Sequence, residues 1–289
     1  VGHTIYFGGN DGTNGSELWK SDGTASGTVM VKDINSGGTV TYPAGSSPLS
    51  LTAVGNTLYF VAQDGTNGTE LWKSDGTASG TVMVKDIRPG GSNSGIPYLT
   101  PIGNILYFQA DDGTNGRELW KSDGTASGTV MVKNINSGSG DGCCGDITAF
   151  GNTLYFGAND GFNGGELWKS DGTASGTVMV KDINSGSGDS SLDQFAAVGS
   201  TLYFRTDDAN GYELWKSDGT VSGTLMVKDI WSGSDSSDPS YLTAFGITLY
   251  LISHCGSRGK ELSRCDATSS GTVLIKAINR GDTSSTSSL

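Results

Sequence analysis

The chain has 289 residues, 46 of them glycine and 6 proline, with 18 Lys and Arg against 30 Asp and Glu. The net charge of −12 repels nucleic acid and anionic membrane surfaces and attracts cations. No apolar run reaches the length of a membrane span, and the glycines sit at turn positions rather than in a collagen triplet.

The first predicted elements are a strand at Thr4-Ile5-Tyr6-Phe7, a turn at Asn10-Asp11-Gly12-Thr13-Asn14-Gly15, and a hairpin over Glu17 to Ile34. In that hairpin two short apolar runs flank Ser21-Asp22-Gly23-Thr24-Ala25-Ser26-Gly27-Thr28, which is strand-turn-strand chemistry. Val1 opens inside a strand pattern, which predicts a processed form or a fragment of a longer precursor. From Leu49 the unit is complete: Leu51-Thr52-Ala53-Val54, then Thr57 to Ala62, then the hairpin to Ile87. Further units begin near Leu99, Ile147, Phe195 and Leu242, with hairpin copies at Glu70, Glu118, Glu166 and Glu213 and a worn copy at Glu261.

Four short strands repeated with a period of about 48 residues is the pattern of a propeller blade. We therefore expect an all-β, six-bladed β-propeller of four-stranded antiparallel blades forming one domain, 1–289. Its blades are 1–34 plus 283–289, 49–87, 98–135, 146–183, 193–230 and 240–278. The first unit lacks a strand. Asp282 to Leu289 resembles the lead-in Asp189-Ser190-Ser191-Leu192, so pairing of the N- and C-terminal segments is expected to close the ring and remove free sheet edges.

Setting Lys20 opposite Val29 predicts cross-strand partners. Trp19 faces Met30 and Glu17 faces Lys32; in the next copy Trp72 faces Met83 and Glu70 faces Lys85. Every methionine then faces a tryptophan, and in the worn copy Ser263 and Leu274 change together. Two readings follow: a structural ion pair beside an aromatic pair, or a recurring Glu/Trp/Lys sugar site. Cross-strand packing alone accounts for the first.

The innermost strands carry Thr, Ala and apolar residues without charge, which weighs against an enzyme. His3 and His254 have no companion set for metal or nucleophilic work. The Asp-Gly-Thr-Asn-Gly turns offer calcium candidates in Asp64, Asp112 and Asn115, although tight-turn chemistry also explains them. No other cofactor is expected. Asn14 and Asn67 fit the glycosylation sequon, and Arg280-Gly281-Asp282 matches a short adhesion tripeptide. Cys143, Cys144, Cys255 and Cys265 allow three pairings, and the sequence does not choose among them.

The hairpins are nearly identical while the connections between units diverge: 35–47 with Tyr42, 88–97, 136–145 with Cys143 and Cys144, and 231–240 with Trp231. Variable loops on a rigid scaffold carry binding, so these four residues mark the expected ligand or partner face. The expected partners are surface proteins, glycans or further copies of the chain, with neither nucleic acid nor membrane insertion. An acidic, Gly/Ser/Thr-rich repeat suits a secreted, cell-surface setting.

At Glu17-Leu18-Trp19-Lys20-Ser21-Asp22-Gly23-Thr24 and its copies the chain resembles the ELWxxDGT repeat family. The resemblance implies an extracellular propeller module of large surface proteins and supplies no catalytic residue. The Ser-Asp-Gly-Thr turn also resembles the Asp-box turn of sialidase-like propellers. That chemistry would need an arginine cluster, and Arg88, Arg117, Arg205, Arg258, Arg264 and Arg280 occupy unrelated repeat positions. The expected function is a non-catalytic extracellular interaction or structural module, of an appendage or the cell surface. The alternative is a multivalent lectin, and a glycan-active enzyme is the third reading.

Overall fold

The computed structural model describes residues 1–39, 43–208, 210–254, 259–266 and 268–275. All regular structure among them is β, in one three-stranded and five four-stranded antiparallel sheets whose strands follow chain order. The second blade shows the pattern: Leu49–Val54, Thr57–Gln63, Thr69–Ser74 and Val82–Lys85. The first has Ile5–Asn10, Ser16–Ser21 and Val29–Lys32. Its expected fourth strand at 283–289 lies outside the described residues, as do Tyr42, Cys255, Arg258, Lys276 and Arg280-Gly281-Asp282. Contacts group the chain into two compact units, Val1–Cys143 with Gly172–Ala174, and Cys144–Asp171 with Ser175–Leu289.

In the second, third and fourth blades the second strand is covered on both faces, so Leu58-Tyr59-Phe60-Val61-Ala62 reads as an unbroken buried run. Phe60, Phe108, Phe156 and Phe204 are all fully buried. In the first unit, Leu18, Val31 and Ile34 pack on Phe60 and Trp72 of the following blade. Val61, Leu71 and Val84 in turn pack on Leu106, Phe108 and Trp120. In the second unit, Tyr155, Leu167 and Val180 meet Leu202, Phe204 and Trp215. The core is thus a series of sheet-on-sheet seams, each formed by neighbouring repeats.

Trp19 lies opposite Met30, and the hairpin tryptophans Trp72, Trp120, Trp168 and Trp215 lie opposite Met83, Met131, Met179 and Met226. The expected acid–amine pairing is different. A β-bulge between Leu18 and Trp19 sets Leu18 opposite Lys32, and the same bulge sets Leu71 opposite Lys85. Glu17 and Lys32, like Glu70 and Lys85, are therefore not cross-strand partners. The extra residue, Val31, lies in the Val29–Lys32 strand and carries Lys32 out of register with Glu17; the glutamate is buried and the lysine reaches the next blade.

Candidate ligand-binding face

The six hairpin glutamates are fully buried, and in the first five blades each holds the connection that follows its blade. Glu17 accepts hydrogen bonds from Ile34 N (2.9 Å), Ser46 N (2.8 Å) and Ser46 Oγ (2.6 Å). Glu213 accepts from Ile230 N (3.0 Å), Ser237 N (2.9 Å) and Ser237 Oγ (2.6 Å). Glu118 takes the amides of Ile135 and Asn136 at 2.9 and 3.1 Å. In the first and fifth blades the carboxylate therefore fixes both ends of a loop whose sequence is otherwise free to vary.

This latch has a consequence for pH. Burial pushes the carboxyls of Glu70 and Glu118 up to about 7, although backbone N–H donors at Ile87 and Ile135 pull the other way. A folded-state value above the ordinary 4.5 means that the folded chain binds extra protons between those limits. The stability so gained is full below about pH 4.5 and is lost as pH rises through 7. The turn aspartates act oppositely. Hydrogen bonds from the Thr24 and Thr125 hydroxyls and then their amides hold Asp22 and Asp123 below the usual range. Their contribution is present above about pH 4 and disappears in stronger acid. Thermal melts should accordingly give the highest Tm near about pH 5, falling by several degrees toward about pH 8. A Tm that is flat or rising over that interval would refute the assignment.

The lysines staple neighbouring blades. Lys32 Nζ donates to Thr81 O at 2.8 Å and lies 6.0 Å from the Trp72 ring centre. Lys85 repeats this at Thr129 O and Trp120, and Lys181 at Thr224 O and Trp215. The other hairpin lysine reaches the next Ser-Asp-Gly-Thr turn, Lys20 to Gly76 O and Lys73 to Gly124 O, both at 2.8 Å. Trp72 is 6% exposed and Glu70 fully buried. A Glu/Trp/Lys sugar site of the kind weighed from sequence is therefore closed to a sugar.

The Asp-Gly-Thr-Asn-Gly turns are likewise internally occupied. Asp64 accepts from Thr66 N, Asn67 N and Asn67 Nδ2 at 2.7 to 2.9 Å. Asp112 accepts from Thr114 N, Asn115 N and Asn115 Nδ2 at 2.8 to 2.9 Å. Asn115 thus points its amide nitrogen at the very carboxylate with which it would share a calcium ion. Among the described residues no group of three or more His, Cys, Asp or Glu could hold a metal.

The connections return to these turns. Thr69 N donates to Asn93 Oδ1, Arg117 N to Asp141 Oδ1, Gly165 N to Asp189 Oδ1 and Tyr212 N to Ser236 Oγ. Turn and connection therefore share one face in the second to fifth blades. Its most charged part lies in the second unit. Arg205 pairs with Asp193 and Asp238, Lys260 also pairs with Asp238, and the guanidinium sits 5.0 Å from the Tyr212 ring centre. Burial disfavours the Asp238 carboxylate, but Lys260 and Arg205 outweigh it and hold its pKa low. Burial and then the Lys260 charge lower that of His254. With two carboxylates matched to two cations, the cluster is a neutralised network rather than a set poised for acid–base work.

Trp231, expected on the ligand or partner face, is half-buried, with its ring 5.9 Å from that of His254. Cys143 is 1% exposed, so its side chain is withdrawn from the expected ligand face. Cys144 belongs to the strand Cys143–Phe150.

No family model and no curated protein matches the chain. Solved structures do. A structure from a study of two prolyl endopeptidases aligns at TM-score 0.55 and 11% identity, over 94% of this chain and 40% of its own. Oligopeptidase B from Leishmania major gives 0.53 and 13%, over 95% and 40%. The S511A mutant of puromycin hydrolase, complexed with PGG, gives 0.51 and 14%, over 96% and 46%. The matched parts are propeller domains. The fold is a β-propeller. The chain spans less than half the length of these proteins, and at such identities the likeness is one of fold.

In this propeller the innermost strands carry a feature that the sequence reading missed. The ladder slips between Leu49 and Thr52, between Asp193 and Ala196 and between Ser240 and Thr243. Ser50, Gln194 and Tyr241 adopt positive φ there, at 54°, 55° and 54°. Such bulges re-aim side chains at functional rims. Tyr241 is 47% exposed, and Tyr98, at the same repeat position, is 62% exposed. An aromatic in two repeats where a third has Ser50 was the available signal.

Proposed function

We propose that this chain is a non-catalytic binding module, extracellular and part of a cell-surface or appendage protein, whose partner is met by the turn-and-connection face. One observation carries the reading: residues that recur in every blade are consumed by latches and staples, whereas departures from the repeat gather at the connections and the bulged inner strands. Tyr98, Tyr241 and Trp231 supply aromatic surface over a rigid frame. The resemblance to the ELWxxDGT repeats supports the same setting.

The lectin reading keeps a specific foothold. Grooves of about 470 and 430 Å³ recur beside Tyr6, Lys20, Asp22 and Asp75 and beside Tyr59, Lys73, Asp75 and Asp123, so weak sites would gain avidity by repetition. The two readings separate when the immobilised chain is screened against a glycan array and against extracellular proteins of its own source. Replacing Tyr98, Trp231 and Tyr241 by alanine should weaken the bound partner at least about tenfold, the loss of about 1.4 kcal/mol, without lowering Tm. Undiminished binding by that triple variant would overturn the assignment of the face.

A further inference from the structure

In the second unit, the seam that follows the fourth blade holds a cavity of about 270 Å³. Gly145, Gly157 and Gly165 form part of its wall. At the same repeat positions the second blade has Leu49, Val61 and Thr69, and the fifth has Asp193, Arg205 and Tyr212. In the fifth blade those three side chains interlock as an ion pair stacked on an aromatic ring. The fourth blade lacks all three side chains at once, and space is left where the fifth blade is filled.

The polar groups around that space are arranged for hydroxyls. Asp189 Oδ1 accepts from Gly165 N at 2.6 Å, while its Oδ2 takes no hydrogen bond among the described residues. Asn159 uses its Oδ1 to accept from Gly161 N at 2.7 Å, which leaves its amide nitrogen as a donor. Ser191, held at a φ of 48°, adds a hydroxyl, and Leu192 an apolar wall.

A second departure falls on the same blade. The turn running from Asn159 to Gly165 carries Phe162 where other copies have Thr13, Thr66 and Thr114, and Phe162 is 81% exposed. The base of this turn lines the cavity and its tip presents a bare aromatic face. A carboxylate that accepts, an amide that donates, a hydroxyl and an aromatic surface are the groups that a pyranose uses. Its neighbouring hydroxyls bond both ways, and its C–H face lies on a ring. The volume falls just below that of pockets for drug-sized ligands, which suits one ring. The Asp189 charge disfavours acidic sugars.

We propose that the fourth-blade slot binds a single neutral sugar ring, as the terminal residue of a glycan, with Phe162 on the same turn offering a ring face. The inference rests on the turn-and-connection face being the binding surface, and it names the ligand class of one part of that face.

The test uses the full chain, labelled with nitrogen-15, titrated with glucose, galactose, mannose and N-acetylglucosamine. Glucuronate and methylguanidinium serve as contrasting probes. At least one neutral sugar should saturate at millimolar concentration and shift the amides of Gly145, Gly165 and Ser191. Gly157→Val installs the side chain that the second blade already carries at that strand position, and Phe162→Thr restores the turn of the other blades. Both should keep the parent Tm and weaken the sugar at least about tenfold. If no neutral sugar titrates, if methylguanidinium alone does, or if both variants bind sugar as the parent does, the slot assignment fails. Loss of partner binding in the Tyr98, Trp231 and Tyr241 variant would still uphold the broader reading of the face.

Discussion

Replacing Glu17 by alanine should destabilise the chain by about 3–5 kcal/mol, whereas Lys32→Met should cost only about 1 kcal/mol. The carboxylate is fully buried and satisfies three backbone amides and one hydroxyl of the following connection. Its removal leaves those four donors dry and a side-chain-sized void beside Leu18. Lys32 makes one bond to Thr81 O from a half-buried position, and Met can retain much of its packing over Trp72. An ion pair between the two residues would give coupled losses. The latch-and-staple arrangement predicts instead that the double variant loses the sum of the single losses, within about 0.5 kcal/mol. Urea unfolding of the four proteins in the cycle measures this directly. A coupling energy above about 1 kcal/mol would restore the pair and sink the latch. Glu17→Gln keeps two acceptor sites' worth of shape but only one carbonyl oxygen, and should fall between the parent and the alanine variant.

Why the register of tryptophan and methionine was legible while that of glutamate and lysine was not is a matter of parity. The hairpin turn announces itself through Ser21, Asp22, Gly23 and Gly27, and from the turn outward the first pairs follow by counting: Lys20 with Val29, Trp19 with Met30. The next step crosses the bulge between Leu18 and Trp19, and neither residue marks it, since no glycine or proline stands there. The constant separation of Glu17 from Lys32 fits either arrangement. A better signal lay further along the chain. Ser46, Ser94, Ser190 and Ser237 recur just before four of the five later blades, with Gly142 standing there before the fourth, and in the first and fifth blades that serine closes the glutamate latch.

The site was legible in a different sense. Sequence comparison between blades locates the connections, because they alone diverge, but it does not say which side chains reach the surface. Trp231 turns toward His254 and Cys143 is covered, while Tyr98 and Tyr241 emerge at the inner rim. Positive φ at a non-glycine residue such as Tyr241 leaves no compositional trace. The three glycines of the fourth blade are plain in the aligned repeats, yet only the cavity they line shows that they border one space. The worn sixth blade makes the complementary point. Cys265 stands where other turns have serine, and Thr272 Oγ1 still donates to its sulfur at 3.1 Å, just as Ser74 and Thr81 pair at 2.8 Å. The turn survives a substitution that looks disruptive on paper.

Gly124→Ala should be among the most damaging single-methyl substitutions in the chain, at about 3 kcal/mol or more. Two terms add. The residue sits at a φ of 85°, where a side chain costs on the order of 1–2 kcal/mol. A Cβ there would also lie 2.1 Å from the hydroxyl and 3.1 Å from Cζ of Tyr59, the buried phenol of the preceding blade. That ring is held in the seam, and the carbonyl of Gly124 is anchored by Lys73 at 2.8 Å, so neither partner can retreat without opening the contact between blades. Gly23 supplies the control. It occupies the same turn position with a φ of 93°, but no described atom lies within 4 Å of a Cβ built on it. Gly23→Ala should therefore show the backbone term alone, about 1–2 kcal/mol. Denaturant midpoints of the two variants read the difference as the steric cost of the seam. Tyr59→Phe in the Gly124→Ala background should recover part of the loss, since it removes the closest atom. Equal destabilisation at Gly23 and Gly124 would mean that the phenol yields freely. The blades would then be held chiefly by their apolar faces, and the repeating contact of tyrosine on glycine would be a consequence of the packing rather than one of its causes.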